Sequence, residues 1–127
     1  MIKNGRYGVY KNMEYKINED MEGNLLIITS EKEKIDSSFV DKFKTGVYSK
    51  VINSSELESA YEVRMYGLVD GYKVNVTKEN EEYYFIETGD CKVAEILGLS
   101  RCDKYYYEGK VDKNKMEIFE ERKALKL

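Results

Sequence analysis

The feature that most constrains the fold of this chain is a similarity between its two halves. Residues from about 7 to 52 can be laid over residues from about 66 to 111. The matching segments keep the same order: Tyr7-Gly8-Val9 with Tyr66-Gly67-Leu68, Tyr15-Lys16-Ile17-Asn18 with Tyr72-Lys73-Val74-Asn75, Ile27-Ile28-Thr29 with Ile86-Glu87-Thr88, and Tyr48-Ser49-Lys50-Val51 with residues 107–111. Such a chain is expected to repeat one arrangement of elements twice. Chance agreement in a chain with 12 Tyr remains an open alternative.

Alternating polarity predicts a β-hairpin in each half. In the second half, residues 61–66 and 72–76 alternate between apolar and polar side chains, as half-buried strands do. Asp70-Gly71 lies between them and tolerates the positive φ angles of a two-residue turn, so we expect a hairpin here. The corresponding segments of the first half are residues 6–10, Lys11-Asn12 and residues 13–17.

Further strands and helices are expected after each hairpin. Branched and aromatic residues predict a third and a fourth strand in each half, at residues 24–29, 47–52, 82–88 and 105–111. Between them, residues 91–97 predict a helix that starts after an Asp90 N-cap and stops at Gly98. Apolar residues at helical spacing predict a counterpart over 31–43. Short helical pieces are expected at 54–59 and 113–123.

Together these elements predict an α+β fold. The expected architecture is two pseudo-repeats of β-β-β-α-β that form a largely antiparallel sheet with short helices packed on it. With 127 residues the chain has the size of one domain, so we expect a single domain over 1–127, with halves at about 5–60 and 61–122.

Composition points to a cytoplasmic protein whose partner is not a nucleic acid or a membrane. The first residues contain no apolar signal segment, and no stretch has the roughly 20 apolar residues of a membrane span. The net charge of −3 favours a basic partner over nucleic acid or an anionic membrane surface. Cys91 and Cys102 are expected to be free thiols, as is usual in a reducing cytosol.

The absence of His removes most catalytic and metal-binding arrangements. No imidazole is available for acid–base work, for a catalytic triad or for a zinc site, so we expect no enzyme, no cofactor and no metal. Cys91, in the first turn of a predicted helix, is interpreted as a small buried hydrophobe rather than a nucleophile without a base. Acidic neighbours such as Glu82 and Glu108 argue against Tyr83-Tyr84 and residues 105–107 as base-stacking platforms.

Acidic residues occupy the same place in each half, between the second and third strands. They are Glu19, Asp20 and Glu22 in the first half and Glu79, Glu81 and Glu82 in the second. Two solvated polar turns would explain them. The alternative is an electrostatic complement to a cationic partner, which would speed association and bias partner choice. We take these six residues as candidate partner-binding residues.

Two segments resemble small acidic bacterial immunity proteins of polymorphic toxin and contact-dependent inhibition systems. They are residues 4–15, Asn-Gly-Arg-Tyr-Gly-Val-Tyr-Lys-Asn-Met-Glu-Tyr, and residues 45–51, Thr-Gly-Val-Tyr-Ser-Lys-Val. The resemblance implies a cytosolic protein that binds one cognate toxin domain, such as a cationic nuclease, and occludes its active or target-binding face. The alternative expectation is a non-catalytic ligand-binding or regulatory scaffold domain.

Overall fold

The computed structural model describes residues 2–127 and shows a mostly antiparallel β protein. Strands account for 54% of the residues and helices for 13%, and residues 2–127 contain a single α-helix. The predicted α+β class is therefore wrong, because most of the expected helices are turns or strands. The chain divides into two compact units, described separately below; that they fold as one domain stays a prediction.

The first unit consists of Gly5–Glu62 and Arg122–Leu127. Its strands β1 (Gly5–Tyr10), β2 (Met13–Glu19), β3 (Leu25–Thr29) and β4 (Tyr48–Ile52) pair antiparallel in sequence order. Lys11 and Asn12 make the first turn with φ of 48° and 64°. Alternate side chains face a core of Tyr10, Tyr15, Ile17, Ile27 and Ile52.

The second unit consists of residues 2–4 and Val63–Glu121. It contains most of β5 (Ser59–Val69), then β6 (Tyr72–Glu79), β7 (Tyr83–Thr88), helix α1 (Cys91–Leu97), β8 (Ser100–Asp103), β9 (Tyr106–Asp112) and most of β10 (Glu117–Ala124). The strand order is β5-β6-β7-β9-β8, and β10 pairs with β5. Its buried core comprises Met65, Val69, Val74, Val76, Ile86 and Met116.

The predicted hairpin around Asp70-Gly71 is confirmed. These residues have φ of 50° and 83° and join β5 to β6, with Val69 opposite Tyr72. Both dihedral angles lie in the left-handed region that a two-residue primed turn requires, which explains the Asp-Gly dipeptide.

The two units use closely similar strand registers. Ile17 lies opposite Ile27 as Val76 lies opposite Ile86, and Thr29 lies opposite Tyr48 as Thr88 lies opposite Tyr107. In the hairpins the structural correspondence between the two units is shifted by two residues from the sequence alignment. Met13, and not Tyr15, occupies the position in β2 that Tyr72 occupies in β6.

The expected helix over residues 91–97 is confirmed. The Asp90 carboxylate accepts hydrogen bonds from the backbone N–H groups of Lys92 and Val93, and Gly98 ends the helix with φ of 69°. Both ends are therefore fixed by local side-chain and backbone chemistry that the sequence displays.

The expected helix over residues 31–43 does not form. A 3₁₀ turn at Lys32–Lys34 is followed by turns in which Asp36 accepts a hydrogen bond from Ser38 N, and Val40 forms an isolated bridge with Ser49. Short polar side chains such as Asp36 compete for the backbone N–H groups that a helix needs. The segment consequently remains a loop, apart from its short turn.

The expected helix over residues 113–123 is wrong for a different reason. Only Lys113–Lys115 form a 3₁₀ turn, and Glu117–Ala124 is strand β10, which pairs with β5. Met116 is buried in the core and Phe119 stacks on Tyr66 with ring centroids 5.4 Å apart. Long-range strand pairing and packing thus override a helical pattern.

Of residues 54–59, Ser54–Glu56 form a 3₁₀ turn and Ser59 begins β5.

Candidate protein-binding groove

The acidic loop of the first unit is organised around Asp20. Its carboxylate accepts hydrogen bonds from Glu22 N at 3.0 Å, Asn24 N at 2.8 Å and Asn24 Nδ2 at 3.0 Å. The bonds from Asn24, followed by those from Glu22, hold the pKa of Asp20 below the ordinary aspartate value. Glu19 and Glu22 are exposed at either side of Asp20. The loop therefore presents three carboxylates in a fixed arrangement.

The acidic loop of the second unit is built differently. Asn80 Oδ1 accepts hydrogen bonds from Glu82 N at 2.9 Å and Tyr83 N at 2.7 Å, which replaces the Asp20 arrangement with an uncharged side chain. Glu79 is half-buried, and its carboxylate lies 3.6 Å from Lys113 Nζ. Glu81 and Glu82 are exposed and line only a shallow depression with Asn80. This loop offers charge without an adjoining apolar surface in that depression.

An open groove lies beside the first loop, on the face of the β2–β3–β4 sheet that points away from the core. We call it the outer groove. Its floor consists of Leu26 and Ile28, which alternate along β3 with the buried Ile27, and of their cross-strand neighbours Asn18 and Ser49. The volume is about 490 Å³. One rim carries Glu19, Asp20, Met21 and Glu22, and the opposite rim carries Lys42, Phe43, Thr45 and Val47.

The rims of the outer groove expose large apolar side chains. Met21 is fully exposed, Phe43 is 76% exposed and Val47 is 46% exposed. Single exposed apolar residues are common, but a contiguous apolar patch with a polar rim is typical of a binding surface. The combination of an apolar floor, exposed apolar rims and three adjacent carboxylates makes the outer groove the strongest candidate binding site.

Phe43 is held outward by a tight loop. The Asp41 carboxylate accepts hydrogen bonds from Thr45 N at 3.0 Å and Gly46 N at 2.9 Å. Lys44 has φ of 53° and Gly46 has φ of 82°, so the chain turns sharply on either side of Thr45. Residues with positive φ other than Gly are uncommon and cluster at functional sites.

The sequence predicted a helix over residues 31–43, which includes Phe43, and so missed the position of Phe43 in the lining of the groove. The sequence feature that indicates a loop here lies within a few residues of Phe43. Asp41 precedes Thr45-Gly46, and an Asp side chain that can bond nearby backbone N–H groups ahead of a glycine is typical of a loop. Of the six predicted partner-binding residues, Glu19, Asp20 and Glu22 line the outer groove, whereas Glu79, Glu81 and Glu82 belong to the second unit.

The cysteines are free, as expected, but both are exposed. The interpretation of Cys91 as a small buried hydrophobe is therefore wrong, because it begins α1 on the solvent side. Desolvation, and secondarily the Glu108 charge, raises the pKa of the Cys102 thiol. A raised pKa disfavours the reactive thiolate at Cys102.

The tyrosines considered as stacking platforms have lysines over their rings. Lys110 Nζ lies 4.3 Å from the Tyr83 centroid and Lys113 Nζ lies 5.1 Å from that of Tyr84. Both rings are half-buried. These contacts are intramolecular cation–π interactions.

Residues 2–127 contain neither a metal-binding cluster nor a membrane-spanning helix. No group of three or more Cys, Asp or Glu side chains there is arranged to hold a metal ion. No helix within that range is long and apolar enough to cross a bilayer.

The fold and its surfaces define a β protein of two similar units, one of which carries an open apolar groove with an acidic rim. The chain belongs to the family described as Uncharacterised conserved protein UCP033725, whose model matches residues 2–127. No curated protein and no solved structure matches the chain.

Proposed function

We propose that this chain is a cytosolic immunity protein that binds and neutralises a cognate toxin domain by occluding its active or target-binding face. The observation that carries the proposal is the outer groove, whose lining combines the exposed apolar side chains of Phe43 and Met21 with the carboxylates of Glu19 and Glu22. Exposed apolar anchors inside a charged rim are what stable protein recognition uses. The absence of His supports inhibition by binding rather than by catalysis.

The charge of the chain supports a basic toxin domain, such as a nuclease, as the partner. The six loop carboxylates and the net charge of −3 would attract a cationic surface. Complementary charge chiefly raises the association rate, and salt screens it over roughly 8 Å at physiological ionic strength. Apolar contacts in the groove would then slow dissociation.

Co-expression with the product of the adjacent upstream gene tests the proposal. We expect the two proteins to co-purify as a stoichiometric complex and the chain to relieve growth inhibition caused by that product. A matched pair of aromatic variants serves as the internal comparison: Phe43 and Tyr105 are 76% and 70% exposed, and each has the preceding lysine over its ring. Phe43→Ala should reduce protection and Tyr105→Ala should not. A non-toxic neighbour, with no toxin neutralised, would refute the proposed function.

A further inference from the structure

The apolar floor residues and the acidic rim of the outer groove together determine which kind of protein segment can bind there. Leu26 and Ile28, the aliphatic residues of its floor, are only half-buried, so an incoming apolar side chain would complete the burial of both. Glu19, Asp20 and Glu22 stand along one rim, at the level where the flanking side chains of such a segment would lie.

Charge decides what those flanking side chains must be. The rim carries three carboxylates against one opposing cation, Lys42. Glu19 and Glu22 are exposed, and the hydrogen bonds from Asn24 and Glu22 favour the ionised form of Asp20. An acidic segment would be repelled here, and a segment with lysine or arginine beside its apolar residues would be attracted.

The opposite rim supplies a preorganised anchor. Phe43 protrudes from a loop fixed by two hydrogen bonds to Asp41, so little loop ordering is left for the binding step. Exposed aromatic residues held in this way are frequent hot spots of interfaces.

From these features we infer that the outer groove binds an amphipathic cationic protein segment, in which aliphatic or aromatic side chains alternate with lysine or arginine. Phe43 and the floor take the apolar side chains, and Glu19 and Glu22 take the basic ones. The acidic loop of the second unit is not part of this site, because Asn80, Glu81 and Glu82 line a depression without apolar side chains. This inference rests on the proposed function and specifies the partner's contact chemistry.

Three synthetic octapeptides, blocked at both ends, separate the apolar from the electrostatic contribution to binding. Their sequences are alternating Leu–Lys, alternating Leu–Glu and alternating Ser–Lys. Each is titrated into the isotope-labelled full chain while backbone amide resonances are followed. The Leu–Lys peptide should shift the amides of Leu26, Ile28 and residues 41–47, and both other peptides should bind at least about tenfold more weakly. No binding of the Leu–Lys peptide at millimolar concentration, equal binding of either other peptide, or shifts confined to other surfaces would overturn the inference.

Two pairs of matched variants sharpen the test. Glu19→Gln/Glu22→Gln and Glu81→Gln/Glu82→Gln remove the same charge from exposed positions of the two loops. The first pair should weaken Leu–Lys binding by about two- to tenfold and the second by less than about twofold. Phe43→Ala should weaken it by about tenfold or more, and Tyr105→Ala should leave it unchanged. Equal effects within either comparison would contradict the inference.

The outcomes also distinguish this inference from the proposed function. Toxin neutralisation that survives Phe43→Ala together with Glu19→Gln/Glu22→Gln would overturn the groove assignment and leave immunity standing. Peptide binding that follows the predicted pattern, without any toxin partner, would remove the immunity function alone.

Discussion

Gly8 and Gly67 occupy equivalent positions in β1 and β5, and each lies under the residue that follows a 3₁₀ turn. A Cβ added at Gly8 would lie 3.1 Å from Leu57 Cδ2, and one added at Gly67 would lie 2.4 Å from Met116 Sδ. Leu57 and Met116 are the C-caps of the turns at Ser54–Glu56 and Lys113–Lys115. In both units the absence of a side chain at the glycine therefore leaves space in which an apolar side chain packs.

The two glycines predict unequal tolerance to a methyl group. Gly67→Ala forces the buried Met116 to move, and we expect it to lower the free energy of unfolding by about 1–3 kcal/mol. Gly8→Ala should cost less, since its closest contacts are 3.1–3.2 Å. Urea unfolding of both variants measures the difference. In a Met116→Ala background the cost of Gly67→Ala should shrink; an unchanged cost would show that the contact with Met116 is not its cause.

A second prediction at the residue scale concerns the ionisation of Asp20. Hydrogen bonds from Asn24 lower its pKa in the folded chain, so the stabilisation is present above the unfolded pKa and is lost as the pH falls through the folded one. The side-chain carboxyl ¹³C resonance of Asp20 should titrate at a lower pH than an ordinary aspartate. Asn24→Ala should raise that midpoint, because it removes one donor. A midpoint that does not respond to Asn24→Ala would contradict the assigned cause.

At the scale of elements, α1 shows what local chemistry can specify. Asp90 accepts hydrogen bonds from two backbone N–H groups of the first turn, and N-cap substitutions by alanine typically cost about 1 kcal/mol. Asp90→Ala should therefore lower the free energy of unfolding by about that amount in thermal or urea unfolding. The exposed mid-helix substitution Glu95→Ala is the control and should change it by less than about 0.5 kcal/mol. Equal changes in the free energy of unfolding of the two variants would mean that the Asp90 cap does not stabilise α1.

Elements with short-range signals were predicted from the sequence, and elements that depend on distant partners were not. The turn residues Asp70-Gly71 of the hairpin and the capping residues of α1 are adjacent in sequence to the elements that they specify. By contrast, β10 forms because β5 offers it a pairing edge, and β8 has four exposed residues with no apolar period to reveal it. The helix predicted over residues 31–43 does not form, because the Asp36 carboxylate takes a backbone N–H group, that of Ser38, which the helix would need.

For the whole molecule, the sequence predicted the acidic half of the candidate site and missed the apolar half. Acidic residues between β2 and β3 are visible in the sequence. The outer groove, however, is lined both by the loop at residues 42–47 and by Leu26 and Ile28, which are distant from that loop in sequence. Sequence similarity suggested two equivalent acidic loops, and their different surroundings are a property of the folded units.

Dissociation of the complex with the upstream gene product is the most direct test of the central claim, that the outer groove holds a cationic protein partner. The dissociation rate is measured by surface plasmon resonance for the unmodified chain, Phe43→Ala and Tyr105→Ala. We predict that Phe43→Ala raises this rate about tenfold or more while Tyr105→Ala leaves it unchanged. A dissociation rate that responds equally to both substitutions would contradict the claim, whereas absence of a complex with this gene product would contradict the proposed immunity function.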